Sequence, residues 1–127
     1  MVELIMGFDF GTKKIGVAVG QKITASATPV GKILAANGKP DWLQLDKIVD
    51  EWKPILFVVG LPLNIDGSRG DITRSAERYA RRIHGRYDIP FVMVDERLST
   101  FEAKQKKTKD IDATAACLIL ETWLSKD

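Results

Sequence analysis

Two continuous apolar runs, "ILFVVG" at 55–60 and "FVMVD" at 91–95, constrain this chain most. A run without alternation suits a strand covered on both faces, as in a parallel sheet. Parallel neighbours need a crossover, and residues 71–86 supply one, with Ile72, Ala76, Tyr79, Ala80 and Ile83 at helical spacing. Upstream, residues 3–10, 14–20 and 22–30 read as three further strands. Their short connections, "GTKK" and Gly20-Gln21, favour antiparallel hairpins. Gly31 to Pro40 reads as a loop. Asp41 then caps a helix reaching Trp52, with Trp42, Leu45, Ile48, Val49 and Trp52 recurring on one face and Pro54 ending it. Helical residues resume near Thr100, and a last helix spans about 111–125. The expected fold is α/β: a mixed five-stranded sheet, three antiparallel strands first and two parallel strands after, flanked by helices. A chain of 127 residues fits one domain, 1–127, whose core needs no metal or disulfide staple.

The lone cysteine, Cys117, lies in an apolar helical pattern and reads as a small buried hydrophobe; a chain with no cysteine pair fits a reducing cytosol. Met1-Val2-Glu3 shows no basic region ahead of an apolar core, and the apolar stretch Ile55 to Leu63 is broken by Gly60 and Pro62. The expectation is therefore a cytoplasmic protein with no membrane span. A net charge of +2 permits a polyanionic partner without requiring one, so the placement of the basic residues carries the weight. His84 is the only histidine, which excludes a two-histidine ribonuclease mechanism within one chain.

Three carboxylates stand where apolar residues are expected. Asp9 interrupts the first strand near its carboxyl end. Glu96 follows the last strand. Asp112 shares a helical face with Ala115, Ala116, Ile119 and Trp123. Each has a structural role open to it: a turn cap for Asp9, a surface ion pair for Glu96, a helix-start acid for Asp112. Together they form a different pattern. Ligands of open α/β sheets bind at the carboxyl ends of the parallel strands, and three acids gathered there would repel one another. A hard divalent cation such as Mg²⁺ removes that conflict. Between Asp95 and Glu96, which face opposite ways in a strand, the longer side chain past the strand end is the favoured ligand.

The basic residues cluster too. Lys13 and Lys14 occupy the turn after Asp9, and Arg97 follows Glu96, all placed for phosphate contact. Arg74, Arg78 and Arg81 form a stripe on the polar side of one helix, alongside Arg82 and Arg86; a solvated face is the competing reading. Lys104, Lys106, Lys107 and Lys109 add a further run.

The segments "FDFGTKKIGVAVG", "VVGLPLNIDGS", "VDERLST" and "IDATAACLILETWL" together resemble the YqgF/RuvX family of the ribonuclease H-like superfamily, in order and over nearly the whole chain. That resemblance implies a ribonuclease H-like fold and a metal-dependent nuclease, with Asp9, Glu96 and Asp112 as catalytic, metal-binding acids and Mg²⁺ or Mn²⁺ as cofactor. The loop "GLPLNIDGSRG" matches a family loop in which Asn64 contacts a phosphate or sugar of the nucleic acid. Family members are assigned to Holliday junction resolution or to maturation of the 16S ribosomal RNA precursor. On that analogy the expected partner is RNA, at the 5′ end of the precursor, with branched DNA as the alternative. A resolvase cutting two symmetric strands would be a homodimer, whereas an RNA-processing enzyme can be a monomer. One departure stands out: the family's longer, basic, partly Gly-rich segment between "DERLST" and the last helix is here only "FEAKQKKTKD". Two other classes compete. "DFGTK" also resembles the first phosphate loop of actin-like nucleotide-binding proteins, although nothing here supplies their second domain and second loop. A non-catalytic RNA-binding ribosome-assembly factor would keep the basic residues without needing all three acids.

Overall fold

The computed structural model describes residues 3–96 and 111–125. In chain order the elements are β1 (Ile5–Asp9), β2 (Lys14–Gln21), β3 (Ser26–Ala36), β4 (Lys39–Pro40), α1 (Trp42–Trp52), β5 (Leu56–Leu61), α2 (Asp71–Tyr87), β6 (Phe91–Asp95) and α3 (Ile111–Leu124). One sheet, ordered β4-β3-β2-β1-β5-β6, holds all the strands. The β1–β2, β2–β3 and β3–β4 pairs are antiparallel, while β1–β5 and β5–β6 are parallel. The reading of antiparallel hairpins followed by parallel crossovers is therefore borne out.

The sheet has six strands rather than five. The expected loop over Gly31 to Pro40 is the end of β3, a tight turn and β4. Asn37 and Gly38 both adopt positive φ, 51° and 81°, the pairing a two-residue hairpin turn requires. The third strand also starts later than expected, at Ser26. A bulge interrupts its pairing with β2: Val17 lies opposite Gly31, but Ala18 lies opposite Pro29. The extra residue lets Pro29 sit within a strand.

Period-two alternation sorts the side chains into two cores. Met6 and Phe8 of β1, with Phe10 just after it, join Ile15, Val17 and Val19 of β2 and Phe57 and Val59 of β5 against α1 and α2. Ile5, Ala18, Val58 and Val94 pack the opposite face, against Ala116, Ile119, Leu120 and Leu124 of α3. Asp41 caps α1 as its sequence position implies, accepting from the backbone N–H of Leu43 (3.1 Å) and Gln44 (3.3 Å). In α2 the inward set differs by one position from the sequence reading. Ile72 is exposed, and Thr73 is fully buried. Thr73 Oγ1 accepts from Gly70 N (3.1 Å) and donates to the Pro62 carbonyl, tying the β5–α2 loop to the helix start. A polar side chain that closes two backbone valences outcompetes an apolar one there.

Candidate functional site

The carboxyl ends of the parallel strands form one edge. Phe8 pairs with Val59, and Gly60 with Val94, so Asp9 continues a row formed with Gly60 and Val94. Asp9 is in phase with Ile5 and Gly7, which places it on the face covered by α3. Glu96 falls in phase with Val92 and Val94 on that same face. Asp95 falls in phase with Phe91 and Met93, which pack toward the other core. Alternation thus separates the two neighbouring acids as the sequence reading required.

Glu96 leans back over the row. A Cβ built on Gly60 would stand 3.5 Å from Glu96 Oε2 and 2.6 Å from Ile119 Cδ1. The missing side chain at Gly60 leaves room for both the helix and the carboxylate, and Glu96 Oε2 is buried. Asp9 and Glu96 line one pocket of about 310 Å³ together with Phe10, Gly11, Thr12, Lys13 and Lys14.

The turn that carries the lysines is tightly built. At Gly11 a Cβ would come within 2.5 Å of the Lys14 carbonyl oxygen, so the turn closes only with glycine there. The β3–β4 hairpin clasps this turn from outside: Ala35 N donates to the Lys13 carbonyl (2.8 Å), and Gly38 N to the Thr12 carbonyl (2.9 Å). Thr12 thereby becomes a pocket residue that the sequence reading does not single out; its signal is its place between Gly11 and Lys13.

Helix α3 runs antiparallel to β1 beneath the site. A Cβ at Gly7 would meet Leu120 Cβ at 2.9 Å and the Ala116 carbonyl at 3.2 Å. Gly20, paired with Ile5, lies under Leu124 and Leu120. One turn before Ala116, helix position 112 stands about 6 Å further along the axis. Gly7 and Asp9 are separated by about 6.7 Å along the strand, so the first turn of α3 lies toward the Asp9 end of β1. The side chain of Asp112 lies outside the described residues, as does Arg97. Among the described residues no group of three or more His, Cys, Asp or Glu side chains is gathered as a metal site.

The other expected contacts fall elsewhere. Asn64 is exposed in the β5–α2 loop, where its Nδ2 donates to Ser68 Oγ (2.9 Å), and Ser68 in turn donates to Asp66 Oδ1 (2.6 Å). Arg74 and Arg78 are exposed on α2, on the layer across the sheet from the acids, and Arg74 reaches Asp71 at 3.4 Å. Neither arginine lines the acid pocket. Arg86, from the same basic helix, is committed to structure. It makes two 2.8 Å bonds to Asp46 and lies 4.6 Å from the Trp42 ring centroid, while Tyr87 donates to the same carboxylate at 2.5 Å. Those two donors hold the Asp46 pKa down to about 2. His84 is structural, its Nδ1 lying 2.9 Å from the Ile89 carbonyl oxygen at the end of α2. Cys117 is buried in α3.

A family model described as RuvX, Holliday junction resolvase, matches residues 3–126. The chain belongs to the RuvX family. A relative from Pseudomonas fluorescens is 49% identical over 137 aligned residues, covering 99% of this chain and 94% of the relative. One from Proteus mirabilis is 46% identical, covering 96% and 95%. Both bear the name "putative pre-16S rRNA nuclease". Among solved structures, RuvC from T. thermophilus in complex with a Holliday junction substrate superposes with a TM-score of 0.59 at 11% identity, covering 96% of this chain and 93% of that one. The Fowlpox virus resolvase bound to Holliday junction DNA gives 0.56 at 11% identity, covering 97% and 99%. At that identity these two likenesses establish the fold, which is the ribonuclease H-like fold expected from the sequence. Among the described residues no helix is long and apolar enough to cross a membrane.

Proposed function

We propose that this RuvX-family chain is a metal-dependent endonuclease that hydrolyses phosphodiester bonds of RNA, at the 5′ end of the 16S rRNA precursor, in the cytoplasm. The observation that carries this reading is the pocket itself: Asp9 and Glu96, far apart in sequence, share one concavity with Lys13 and Lys14 at the carboxyl ends of the strands. Relatives covered almost end to end carry a pre-16S rRNA nuclease name, which favours RNA.

The donor set fits a hard cation. Asp9 at the end of β1 and Glu96 just past β6 offer oxygen ligands, one of them buried over a glycine, and Asp112 would add a third. Asp9, Glu96 and Asp112 would hold Mg²⁺ or Mn²⁺. Such an ion, when bound, lowers the pKa of its water and neutralises charge on the phosphoryl oxygens. The chain's own groups do the rest. Lys13 and Lys14 hold the substrate phosphate against the acids, and the clasped turn keeps them in place. Arg97 adds a phosphate contact beside Glu96; Asn64, Arg74 and Arg78 guide flanking nucleotides from the loop and helix beyond the pocket.

The decisive experiment offers precursor rRNA fragments and four-way DNA junctions in parallel, with Mg²⁺, with Mn²⁺ and with EDTA. RNA cleavage that requires the metal is the expected result. Full activity in excess EDTA overturns the metal reading, and cleavage confined to the junction substitutes the resolvase.

A further inference from the structure

The sheet face that carries Asp9 extends across β2 and β3 to β4, and Lys32, Leu34 and Ala36 are exposed on it. Register places Lys14 opposite Leu34 and Gly16 opposite Lys32; across the hairpin, Ala36 lies opposite Lys39. Asp9 lies opposite Gly16, so Lys14, Lys32, Leu34 and Lys39 all share its face. The three lysines are exposed, and Leu34, at 58% exposure, stands among them as one of the few large apolar side chains open to solvent. Every other position of β2, β3 and β4 on this face is Gly, Ala or Pro, so Asp9 is the sole acid on the face of these strands and β1. Lys32 and Lys39 make no ion pair among the described residues.

We infer that this open sheet face is a docking track for the ribose-phosphate backbone of the RNA substrate, with Lys14, Lys32 and Lys39 on phosphates and Leu34 against a sugar or base. The inference rests on the nuclease reading for its substrate and extends it to residues outside the acid pocket. Strands are spaced about 4.8 Å apart, so the track runs roughly 10–15 Å from β1 to β3 and β4, the span of a few phosphates of one strand. Exposure, positive charge and one apolar contact suit a single strand bound without base readout. The hairpin bonds to the Thr12 and Lys13 carbonyls join the track rigidly to the pocket wall, so a strand seated on Lys32 and Lys39 is aligned with the acids.

The test is a salt titration of a fluorescein-labelled single-stranded RNA in Ca²⁺, comparing wild type with the double variant Lys32→Gln/Lys39→Gln. Hydrolysis of bis(p-nitrophenyl) phosphate in Mn²⁺ is followed alongside. The slope of log K against log salt should fall in magnitude by about 1.4, at about 0.7 for each single-strand phosphate no longer neutralised. Lys32→Arg/Lys39→Arg should restore it, and turnover of the small ester should be unchanged. A reduced slope supports the track whether or not the wild type cleaves anything. An unchanged slope overturns it even in an active nuclease. A reduction seen only with a four-way DNA junction overturns RNA as the occupant.

Discussion

The two faces of the sheet are built from different materials. Toward α1 and α2 the chain directs its large side chains. Phe8 sits 5.5 Å from both Phe57 and Tyr79, Phe10 sits 5.4 Å from Tyr79, and Tyr87 closes on Phe57 at 6.1 Å. Toward α3 it presents small ones: Gly7, Ala18, Gly20 and Gly60 face Ala116, Ile119 and Leu120. Aromatic pairs add about 0.5–1.5 kcal/mol each beyond the area they bury. The small residues contribute less burial and instead let α3 approach β1 and β5 closely. One face is filled by aromatic packing, and the other seats a helix closely over the strands.

The sharpest break of that comparison is Asp9→Asn. Cleavage should fall by orders of magnitude while the metal-free protein keeps its fold, with a Tm at or above wild type, because one of the two carboxylates lining the pocket is gone. Circular dichroism melts beside single-turnover assays measure both. An unfolded variant would make Asp9 a cap of the Gly11–Lys14 turn instead.

Phe57→Ala, on the aromatic face, should cost about 3–5 kcal/mol in urea titrations. Gly7→Val, on the helix-seating face, inserts atoms where even a Cβ meets Leu120 at 2.9 Å. It should cost about 1–3 kcal/mol and also depress cleavage, since α3 must move away from β1. Equal activity per folded molecule in the two variants would erase the functional distinction between the faces.

A smaller effect concerns the clamp between α1 and α2. The folded-state pKa of Asp46 is about 2, below the ordinary value of about 3.9. A depressed carboxylate contributes stability that is present above its unfolded pKa and is lost as pH falls toward the folded one. Asp46→Asn should therefore flatten the acid limb of stability between roughly pH 4 and pH 2 and leave the neutral pH cleavage rate unchanged. A chemical-denaturation series against pH reads it directly.

The smallest expected change is Tyr79→Phe. The Tyr79 hydroxyl is buried with no hydrogen-bond partner among the described residues, and burial holds its pKa well above the ordinary tyrosine value. Removing it should leave stability unchanged or raise it by about 1 kcal/mol. A loss of several kcal/mol would reveal a bonded hydroxyl.

Much of this architecture is local enough to read from the chain. A continuous apolar run, a capping aspartate and a carboxylate set into an apolar pattern are each defined by their immediate neighbours. They suffice for the order of strands and helices, for Asp41 at the start of α1, and for singling out Asp9 and Glu96. The Asn37-Gly38 hairpin is also written locally, but the polar stretch around it reads as a loop. What the sequence could not determine is which face a residue reaches once pairing is irregular. The bulge beside Pro29 inserts one residue into β3, and a one-residue shift exchanges the faces. Ala27 and Pro29 therefore share a face with Lys32 and Leu34, against simple alternation, and only pairing with β2 sets that phase. The return of Glu96 over Gly60 is decided in the same way: it depends on a glycine 36 positions away in sequence, brought alongside by parallel pairing of β5 and β6.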